Sequence, residues 1–328
     1  MPDSMNIVSF FSGAGGLDLG FKQAGFNVVW ANEFDSTIWE TYEHNHPTTI
    51  LDKRSITQIQ AHEIPDCVGI IGGPPCQSWS EAGAGRGIDD KRGQLFYDYI
   101  RLLKSKKPKF FLVENVAGIL LPKHQKAFQK ILAEFLALNY NVSYFLLNAN
   151  DFGVPQDRKR VIIVGFTNEL DKTFQPPETV LPKPVLKDSI FDLPEAKPAL
   201  EKNITNKNVT FPNHEYMTGG FSSMFMSRNR VRGWNEPSFT IQAGGRHAPI
   251  HPQAPKMELV GQDKRIFVQG KENLYRRLSV RECARIQTFP DDFLFKYHYL
   301  ADGYKMVGNA VPVKFARHLA NVIYSHLA

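Results

Sequence analysis

The sequence predicts an α/β fold built on a doubly wound, mostly parallel β-sheet, joined to a second, smaller and loop-rich domain. Three observations lead to this class. Short runs of β-branched and aromatic residues alternate with segments of helical periodicity through the first half of the chain. Turns rich in glycine or proline follow several of these runs directly. Beyond about residue 168 the alternation stops, and prolines and short irregular segments replace it.

Each predicted element follows from its local pattern. Apolar runs bounded by polar or glycine residues predict strands at residues 6–11, 27–31, 67–71, 110–113, 142–147 and 161–166. Apolar residues that recur every three to four positions predict helices at residues 17–24, 94–104, 125–138 and 313–327. Strands that alternate with helices in this way favour a parallel sheet, which binds its ligands at the carboxyl ends of the strands.

The length of 328 residues suggests about two domains. Residues 1–175 form the predicted first domain, and residues 176–275 form the second, where Asn, Gly, Arg and aromatic residues dominate. A hinge segment is expected over residues 276–300, where regular patterning returns. Residues 301–328 are then expected to return to the first domain through the C-terminal helix.

Composition narrows the class of protein. With 42% hydrophobic and 22% charged residues the chain is globular, and a net charge of +6 allows a nucleic-acid partner without requiring one. Three cysteines are too few for a disulfide framework and favour a reducing, cytoplasmic location. We see no signal peptide, and the longest apolar runs are far too short to cross a membrane. Histidines such as His44 and His46 lack metal-ligand spacing and are expected at the surface, so no metal is expected.

The turn Ser12-Gly-Ala-Gly-Gly, after the first strand, is a candidate binding site. Its glycines allow a ligand to approach the N–H groups at the start of the next helix. Glu33 follows the second strand, 20 residues after Gly13, where an acid commonly binds ribose hydroxyls. Asp18 beside the turn disfavours a pyrophosphate, so the pattern favours a nucleoside cofactor without phosphates. A plain tight turn is the alternative for this feature alone.

A cysteine and an acid follow two further strands. Cys76 lies in Gly72-Gly-Pro-Pro-Cys-Gln, where the prolines restrict the backbone and helix-terminus N–H groups could lower the pKa of the thiol. It is a candidate nucleophile. Glu114 follows the strand at residues 110–113 and would share the same edge of the sheet. A small buried cysteine and an exposed turn acid are the ordinary alternatives.

Arg158 and Arg160 lie in Gln156-Asp-Arg-Lys-Arg, at the entry to the strand at residues 161–166. Alternation along an extended chain would place both guanidiniums on one face, where they could hold one polar ligand. A solvated basic turn is the alternative, and the spacing alone does not separate the two interpretations.

Taken together, six motifs resemble those of the cytosine carbon-5 DNA methyltransferases. They are, in order, Phe11-Ser-Gly-Ala-Gly-Gly, Pro74-Pro-Cys-Gln, Glu114-Asn-Val, Gln156-Asp-Arg-Lys-Arg, Arg281-Glu-Cys-Ala-Arg-Ile-Gln-Thr-Phe-Pro and Gly308-Asn-Ala-Val-Pro. The resemblance covers almost the whole chain. In addition, Met226-Ser-Arg-Asn-Arg-Val-Arg and Trp234-Asn-Glu-Pro-Ser-Phe-Thr are similar to the target-recognition region of bacterial GGCC-specific modification methyltransferases.

The resemblance implies an enzyme that uses S-adenosyl-L-methionine to methylate carbon 5 of cytosine in double-stranded DNA. We expect the enzyme to be a monomer. The resemblance further implies the first cytosine of GGCC as the target, within a restriction-modification system. The first domain would be the Rossmann-like catalytic domain and the second the target-recognition domain. By the same resemblance Cys76 would be the nucleophile, Glu114 would hold ring nitrogen 3, and Arg158 and Arg160 would hold the base.

The resemblance also assigns residues to the cofactor, and the chemistry of base recognition indicates residues for DNA. Those expected to bind the cofactor are Phe11, Gly13, Gly15, Leu17, Glu33, Phe34, Ile56, Pro75, Leu95, Asn309 and Val311. Those expected to contact DNA are Ser80, Met224, Arg228, Asn229, Arg230 and Arg246. The arginines would pair with guanines, and Met224 would enter the gap left by a flipped base. One position departs from the family pattern, because Ser55 stands where the family usually has an acid that contacts the adenine amine.

Three other functions keep some support from the sequence. They are methylation of RNA through the same motifs, NAD-dependent oxidoreduction, and DNA binding without catalysis. The arginine-rich residues 228–232 argue against RNA. Asp18 argues against NAD, which would also leave Cys76 without a purpose. The presence of both Cys76 and Glu114 argues against a protein without catalysis.

Overall fold

The computed structural model describes residues 5–75 and 91–328, including all side chains except those of residues 91–94. The chain divides into two compact units. The first unit comprises the described part of Met1–Asn148 together with Lys159–Thr179 and Phe315–Ala328. The second unit comprises Ala149–Arg158 and Val180–Lys314.

A mostly parallel sheet forms the centre of the first unit. Its strands within the described residues are β1 (Asn6–Phe10), β2 (Asn27–Asn32), β3 (Ile50–Asp52), β4 (Gly69–Gly72), β5 (Phe110–Val116), β6 (Tyr140–Asn148) and β7 (Lys159–Thr167). They are hydrogen-bonded in the order β3-β2-β1-β4-β5-β7-β6. Strands β1 to β5 pair in parallel, whereas β7 is antiparallel to both β5 and β6. The predicted α/β class with a mostly parallel sheet is confirmed.

Burial explains why these segments form strands. Ile70 and Ile71 of β4 and all four residues from Phe110 to Val113 of β5 are completely buried. Continuous apolar runs of this kind are typical of parallel strands that are covered on both faces. The sequence prediction omits β3, because three residues at the edge of a sheet are too few to show a strand pattern.

Helices cover the sheet, and two of them contribute to one apolar core with its strands. In the described part of the first unit they are α1 (Gly16–Gln23), α2 (Trp39–Asn45), α3 (Lys91–Lys106) and α4 (Gln125–Ala137). Tyr99 of α3 and Phe135 of α4 are fully buried against the strands, with their ring centroids 6.5 Å apart. Because β1, β2, β4 and β5 run in parallel, the loops at their carboxyl ends meet at one edge of the sheet.

The second unit has little regular structure. Its helices and strands are α5 (Lys187–Ile190), β8 (Lys197–Pro198), β9 (Glu215–Tyr216), β10 (Glu258–Gly261), β11 (Lys264–Ile266), α6 (Val280–Ile286) and α7 (Leu300–Asn309), followed by α8 (Val313–Leu327), which belongs to the first unit from Phe315 onwards. A capping box starts α6, because Ser279 and Glu282 exchange side-chain to main-chain hydrogen bonds. No helix within the described residues is long and apolar enough to cross a bilayer.

The unit boundaries differ from the predicted domain boundaries. Residues 149–158 were predicted in the first domain, but they pack within the second unit. There the Asp157 N–H donates to the Ser238 carbonyl at 2.9 Å, and Gln156 Nε2 donates to Gln287 Oε1 at 2.8 Å. The return to the first unit begins at residue 315 rather than at 301. These contacts join residues far apart in the chain, so local patterning carries no signal for them.

Candidate active site

The loop after β1 has the backbone conformation that its glycines predict. Gly13 and Gly15 have φ angles of +55° and +88°, and Phe11 also lies in the left-handed region at +53°. The Ser12 N–H donates to the Asn32 carbonyl at 3.1 Å, and the Gly15 N–H donates to the Ser12 carbonyl at 2.9 Å. A Cβ added at Gly13 would meet no atom within 4 Å. The loop is therefore fixed at its ends and open at Gly13.

The Glu33 carboxylate, just beyond β2, is tied to this loop. Its Oε2 accepts a hydrogen bond from the Gly13 N–H at 2.9 Å, and its Oε1 accepts one from the Asp35 N–H at 2.8 Å. Burial raises the pKa of Glu33 above its usual value, although these hydrogen bonds oppose the shift. The adjacent Phe34 exposes 70% of its surface. A held carboxylate beside an exposed aromatic ring can bind hydroxyl groups and stack a flat ring.

The other predicted cofactor residues are distributed over both units. In the first unit Leu17 and Ile56 are buried, and Pro75 and Leu95 are half-buried. In the second unit Asn309 is exposed at the end of α7, and Val311 is buried shortly after it. Ser55, where the family pattern expects an acid, caps the 3₁₀ turn Ile56–Gln58 through a hydrogen bond from the Thr57 N–H at 3.4 Å.

Asp18 and His46 belong to a buried polar cluster next to the loop, whereas the sequence places Asp18 beside the turn and predicts His46 at the surface. Asp18 accepts hydrogen bonds from the Ser9 and Tyr42 hydroxyls, each at 2.6 Å, and burial raises its pKa to about 6. The His46 ring stacks on Tyr42 and occupies the space where a Cβ at Gly15 would lie. The prediction of a surface position for His46 is wrong, because its ring supports the loop from inside. No local pattern marks residues that meet only after α1 and α2 pack together.

Glu114 lies near the carboxyl end of β5 and is only 8% exposed. Its Oε1 is 2.7 Å from Nε of Arg160, which the antiparallel pairing of β5 with β7 brings beside it. The loop after β4 approaches Glu114 from the other side, since a Cβ added at Gly73 would lie 3.5 Å from Glu114 Oε2. Asn115 Nδ2 also donates to the Pro74 carbonyl at 3.3 Å. An ion pair shielded from water is thus held beside the loop that precedes Cys76. Cys76 itself and Ser80 lie outside the described residues.

Arg158 does not share a ligand with Arg160. It is 1% exposed, and its NH1 donates to the Ile241 carbonyl at 3.0 Å. Its NH2 donates to the carbonyls of Gly308 and Ala310 at 2.9 and 3.0 Å. The prediction that both guanidiniums hold one ligand is therefore corrected. Arg158 binds main-chain carbonyls at the end of α7, where the helix leaves such groups without internal partners.

Three of the predicted DNA-contact residues are exposed, namely Met224, Arg228 and Arg246. Arg230 instead donates from Nε to the Phe225 carbonyl at 2.9 Å and from NH2 to the Met224 carbonyl at 3.2 Å. Asn229 Oδ1 accepts from the Met257 N–H at 3.0 Å. The arginine-rich segment therefore combines exposed side chains with others that hold its backbone.

Comparison with known proteins identifies the family. The chain matches the family described as C-5 cytosine-specific DNA methylase over residues 5–325. It belongs to that family. The cytosine methylase is 59% identical over 325 residues to the type II methyltransferase M.MthTI of Methanothermobacter thermautotrophicus, covering 99% of this chain and 98% of that protein. It is 56% identical over 324 residues to the type II methyltransferase M.FnuDI of Fusobacterium nucleatum, covering 97% and 94%.

A solved structure agrees with the fold of the cytosine methylase. A prophage-encoded E. coli protein described as a DNA modification methyltransferase superposes with a TM-score of 0.74 at 24% identity, over 99% of both chains. The fold is the Rossmann-like fold of S-adenosylmethionine-dependent methyltransferases. The open side of Gly13, the held Glu33 carboxylate and the exposed Phe34 ring fit the nucleoside part of that cofactor. Within residues 5–75 and 91–328, no group of three or more His, Cys, Asp and Glu side chains is arranged to hold a metal ion.

Proposed function

We propose that this cytosine methylase modifies double-stranded DNA at GGCC, on carbon 5 of the first cytosine, with S-adenosyl-L-methionine as the methyl donor. It would act as a monomer in the cytoplasm, where it protects host DNA within a restriction-modification system. The observation that carries the chemistry is the shielded pair of Glu114 and Arg160, beside the loop that leads to Cys76. The choice of GGCC rests on the resemblance of residues 226–240 to GGCC-specific enzymes.

In this proposal Cys76 begins the reaction. Carbon 5 of cytosine is a poor nucleophile, so the Cys76 thiolate first forms a bond to carbon 6. The ring electron pair moves towards nitrogen 3, where the protonated Glu114 carboxyl holds the ring and gives up its proton, so negative charge does not accumulate on the ring. Glu114 is then the carboxylate that pairs with Arg160. Carbon 5 of the resulting enamine would take the methyl group, and the bond from that methyl group to the cofactor sulfur would break to leave a neutral thioether. A base then removes the carbon 5 proton, and the bond between Sγ and carbon 6 breaks to restore the thiolate. Nitrogen 3 returns its proton to Glu114, which restores the neutral aromatic ring.

Arg160 keeps Glu114 oriented for this step. Its Nε lies 2.7 Å from Glu114 Oε1, and both side chains are almost entirely shielded from water. Charge-assisted contacts of this kind are strongest where water is excluded. We infer that the guanidinium also supports the carbonyl of the base, because its several N–H groups can serve a carboxylate and a carbonyl together.

Several of the proposed cofactor contacts lie in the first unit. When bound, S-adenosylmethionine supplies a methyl group carried on a positively charged sulfur. Glu33 would accept hydrogen bonds from the ribose hydroxyls, and Phe34 would stack against the adenine. The open turn at Gly13 leaves space for the cofactor to approach the main chain. The assignment of Asn309 and Val311 rests on the resemblance alone.

A covalent-trapping experiment tests the mechanism. A GGCC duplex with 5-fluorocytosine at the first cytosine has no carbon 5 proton to lose, so the Cys76 adduct should persist on a denaturing gel. We expect Cys76→Ser to form no adduct and to lose turnover while it still binds DNA, because a hydroxyl is far less ionised than a thiol. Cys67→Ser is the matched control, since that half-buried cysteine lies just before β4 and outside the Pro-Pro-Cys motif. Near-normal turnover of Cys76→Ser would show that the assigned nucleophile is wrong.

The substrate is tested separately from the mechanism. Bisulfite sequencing of DNA from cells that express the chain reports the modified base and its context together. We expect methylation at the first cytosine of GGCC and at no other context above background. Competition between DNA and tRNA in a methyl-transfer assay tests the alternative RNA substrate. Methylation outside GGCC would contradict the proposed site, and preferential methylation of tRNA would contradict the proposed substrate.

A further inference from the structure

Arg277 lies beneath the segment that carries the exposed Met224. We name residues 217–228 the recognition loop. Arg277 is 3% exposed, and its NH1 and NH2 donate to the carbonyls of Gly219 at 3.0 Å and Gly220 at 2.8 Å. Its guanidinium carbon lies 4.0 Å from the centre of the Phe221 ring. Its NH1 also donates to the Met217 carbonyl at 3.5 Å, and its guanidinium carbon lies 5.8 Å from the centre of the Phe225 ring. One side chain thus holds the recognition loop by three hydrogen bonds and two cation–π contacts.

The backbone of Arg277 is itself anchored to the residues that follow the recognition loop. Arg277 forms an antiparallel bridge with Ile250, which forms a parallel bridge with Val231. The Ile250 N–H also donates to the Arg230 carbonyl at 3.0 Å. Through Ile250, the main chain of Arg277 is therefore joined to Arg230 and Val231, which follow the end of the recognition loop. The Arg277 guanidinium binds the beginning of the same loop, so this one residue connects the two ends.

Within the recognition loop the backbone is held while one apolar side chain remains exposed. The Met217 N–H donates to the Tyr304 hydroxyl at 3.2 Å, and Phe225 is completely buried. The Met224 carbonyl accepts hydrogen bonds from Ser227 Oγ at 2.8 Å and from Arg230 NH2 at 3.2 Å. Met224 nevertheless exposes 70% of its surface. A large apolar side chain on a held backbone is suited to enter a space between bases.

Arg277 occupies an unfavourable position for a cation. Burial lowers its pKa below the usual value for arginine, and the charge of nearby Arg246 lowers it further. Its hydrogen-bond acceptors at Gly219 and Gly220 are neutral carbonyls. A buried cation in this setting costs free energy that an apolar residue would not cost. Its geometry, with two donors and a flat face used at once, is available only to arginine.

We propose that Arg277 is a positioning residue for DNA recognition, which fixes the recognition loop so that Met224 and Arg228 are presented to the target duplex. This inference rests on the proposed role of the second unit in DNA recognition. A loop that is ordered before binding loses less conformational entropy on binding than a mobile one. Loss of Arg277 should therefore weaken the recognition of the correct site and the extrusion of the base.

The test compares Arg277→Gln with Arg276→Gln. Arg276 is the neighbouring arginine, and it donates to Glu282 at 2.7 and 2.8 Å and to the main-chain carbonyl of Arg277 at 3.2 Å, instead of to the recognition loop. The readouts are the fluorescence of 2-aminopurine at the target position, and the ratio of kcat/KM on GGCC to that on singly substituted duplexes. We expect Arg277→Gln to lower this ratio by about tenfold and to reduce the fluorescence gain. Its affinity for S-adenosylmethionine, measured by calorimetry, should not change.

Arg276→Gln should lose thermal stability, because it leaves a buried carboxylate without its partner, but it should keep the ratio and the fluorescence of the wild type. Arg277→Lys keeps a positive charge but lacks the flat guanidinium. Its ratio of kcat/KM values should therefore lie between those of Arg277→Gln and the wild type. Equal losses in Arg276→Gln and Arg277→Gln would reduce Arg277 to an ordinary stabilising residue and overturn the inference. A wild-type enzyme that does not discriminate GGCC would instead contradict the proposed function.

A second pair of variants covers the case in which Arg277→Gln does not fold. Gly219 has a φ of +104°, a conformation that alanine rarely adopts, whereas Gly220 is not in this region; neither would place a Cβ within 4 Å of another atom. Gly219→Ala should therefore displace the recognition loop and reproduce the loss of discrimination with Arg277 present. Gly220→Ala should behave like the wild type. Unchanged discrimination in Gly219→Ala would also overturn the inference.

Discussion

The Glu114–Arg160 pair at the end of β5 couples chemistry to stability. Each side chain neutralises a charge that would otherwise be largely buried, so removing one leaves the other without compensation. Glu114→Gln keeps the size of the side chain but cannot supply a proton to the base. We expect single-turnover methylation to fall by about 10²–10⁴-fold, with DNA affinity at fixed salt nearly unchanged.

Glu134→Gln is the control for this prediction, because Glu134 is an exposed carboxylate on α4. It should methylate DNA like the wild type. A Glu114→Gln enzyme within a few-fold of wild-type turnover, with its fold intact by circular dichroism, would rule out a role for Glu114 in the proton step.

Arg228 and Arg246 are exposed, whereas Arg230 is tied to the backbone of the recognition loop. If the exposed arginines contact guanine edges, Arg228→Ala or Arg246→Ala should lose about 1–3 kcal/mol of discrimination at one particular base pair. A contact to phosphate would instead weaken binding equally on every duplex and reduce the salt dependence. Binding to a set of singly substituted duplexes at fixed salt separates these outcomes. Uniform losses for both variants would remove the physical support for GGCC.

At the scale of an element, the loop after β1 depends on both its glycines and Glu33. The Glu33 carboxylate now accepts hydrogen bonds from two main-chain N–H groups. In Glu33→Gln the amide NH₂ would face one of these N–H groups, and that hydrogen bond would be lost. A lost charge-assisted contact corresponds to about 1.5–3 kcal/mol, so the Kd for S-adenosylmethionine should rise about 10-fold to 100-fold. Calorimetry measures this, with Glu40→Gln, an exposed change on α2, as the control. Unchanged affinity in Glu33→Gln would remove the ribose assignment.

The two glycines of this loop should differ in their tolerance of a side chain. Both have positive φ angles, but a Cβ at Gly15 would overlap the His46 ring, whereas a Cβ at Gly13 would meet open space. Gly13→Ala should therefore cost only about 1–2 kcal/mol of stability for the left-handed backbone. Gly15→Ala should cost several kcal/mol through the added clash. Thermal unfolding of the two variants without cofactor measures the difference. Equal losses would show that the His46 ring moves aside.

The elements show where sequence patterns were sufficient. The long strands β5 and β7 and helix α4 were predicted, because each has enough residues to show an apolar run or a helical period. Helix α2 and strand β3 were not, because they are short and partly exposed. In the second unit irregular backbone is held by side chains such as Arg158 and Arg277, and no propensity scale records such contacts.

At the scale of the whole molecule, acid should destabilise the second unit through a buried cluster around Glu282. Burial by itself raises the pKa of Glu282. The hydrogen bonds and the charge of Arg276 outweigh burial and hold this pKa at about 2. Burial lowers the pKa of His251 to about 4. The unfolded chain therefore binds the His251 proton from about pH 6.5 downwards, and the folded chain only near pH 4. Stability should fall over this window by up to about 1.4 kcal/mol per pH unit, and Glu282 should add a further loss below about pH 4.5.

Hydrogen exchange of the α6 amides between pH 7 and pH 4 checks this prediction, after correction for the intrinsic pH dependence of exchange. His251→Asn should reduce the loss of stability that occurs as the pH falls towards 4. His298→Asn, at an exposed position, should leave that loss unchanged. The reduction should be partial, because burial also lowers the pKa of His214 in the same unit. A decline of the same slope in His251→Asn would exclude His251 as its source.

The sequence by itself determined the fold class and the family, and it supplied the candidate site residues. Apolar runs, glycine turns and short polar motifs depend on residues that are close together in the chain, so they can be recognised in the sequence without a structure. Tertiary packing decided which of those residues meet. Arg160 faces Glu114 because β7 runs antiparallel to β5, whereas Arg158, two positions earlier, holds carbonyls at residues 241, 308 and 310. His46 and Arg277 support their loops through contacts between residues distant in sequence, and only the folded chain creates such contacts.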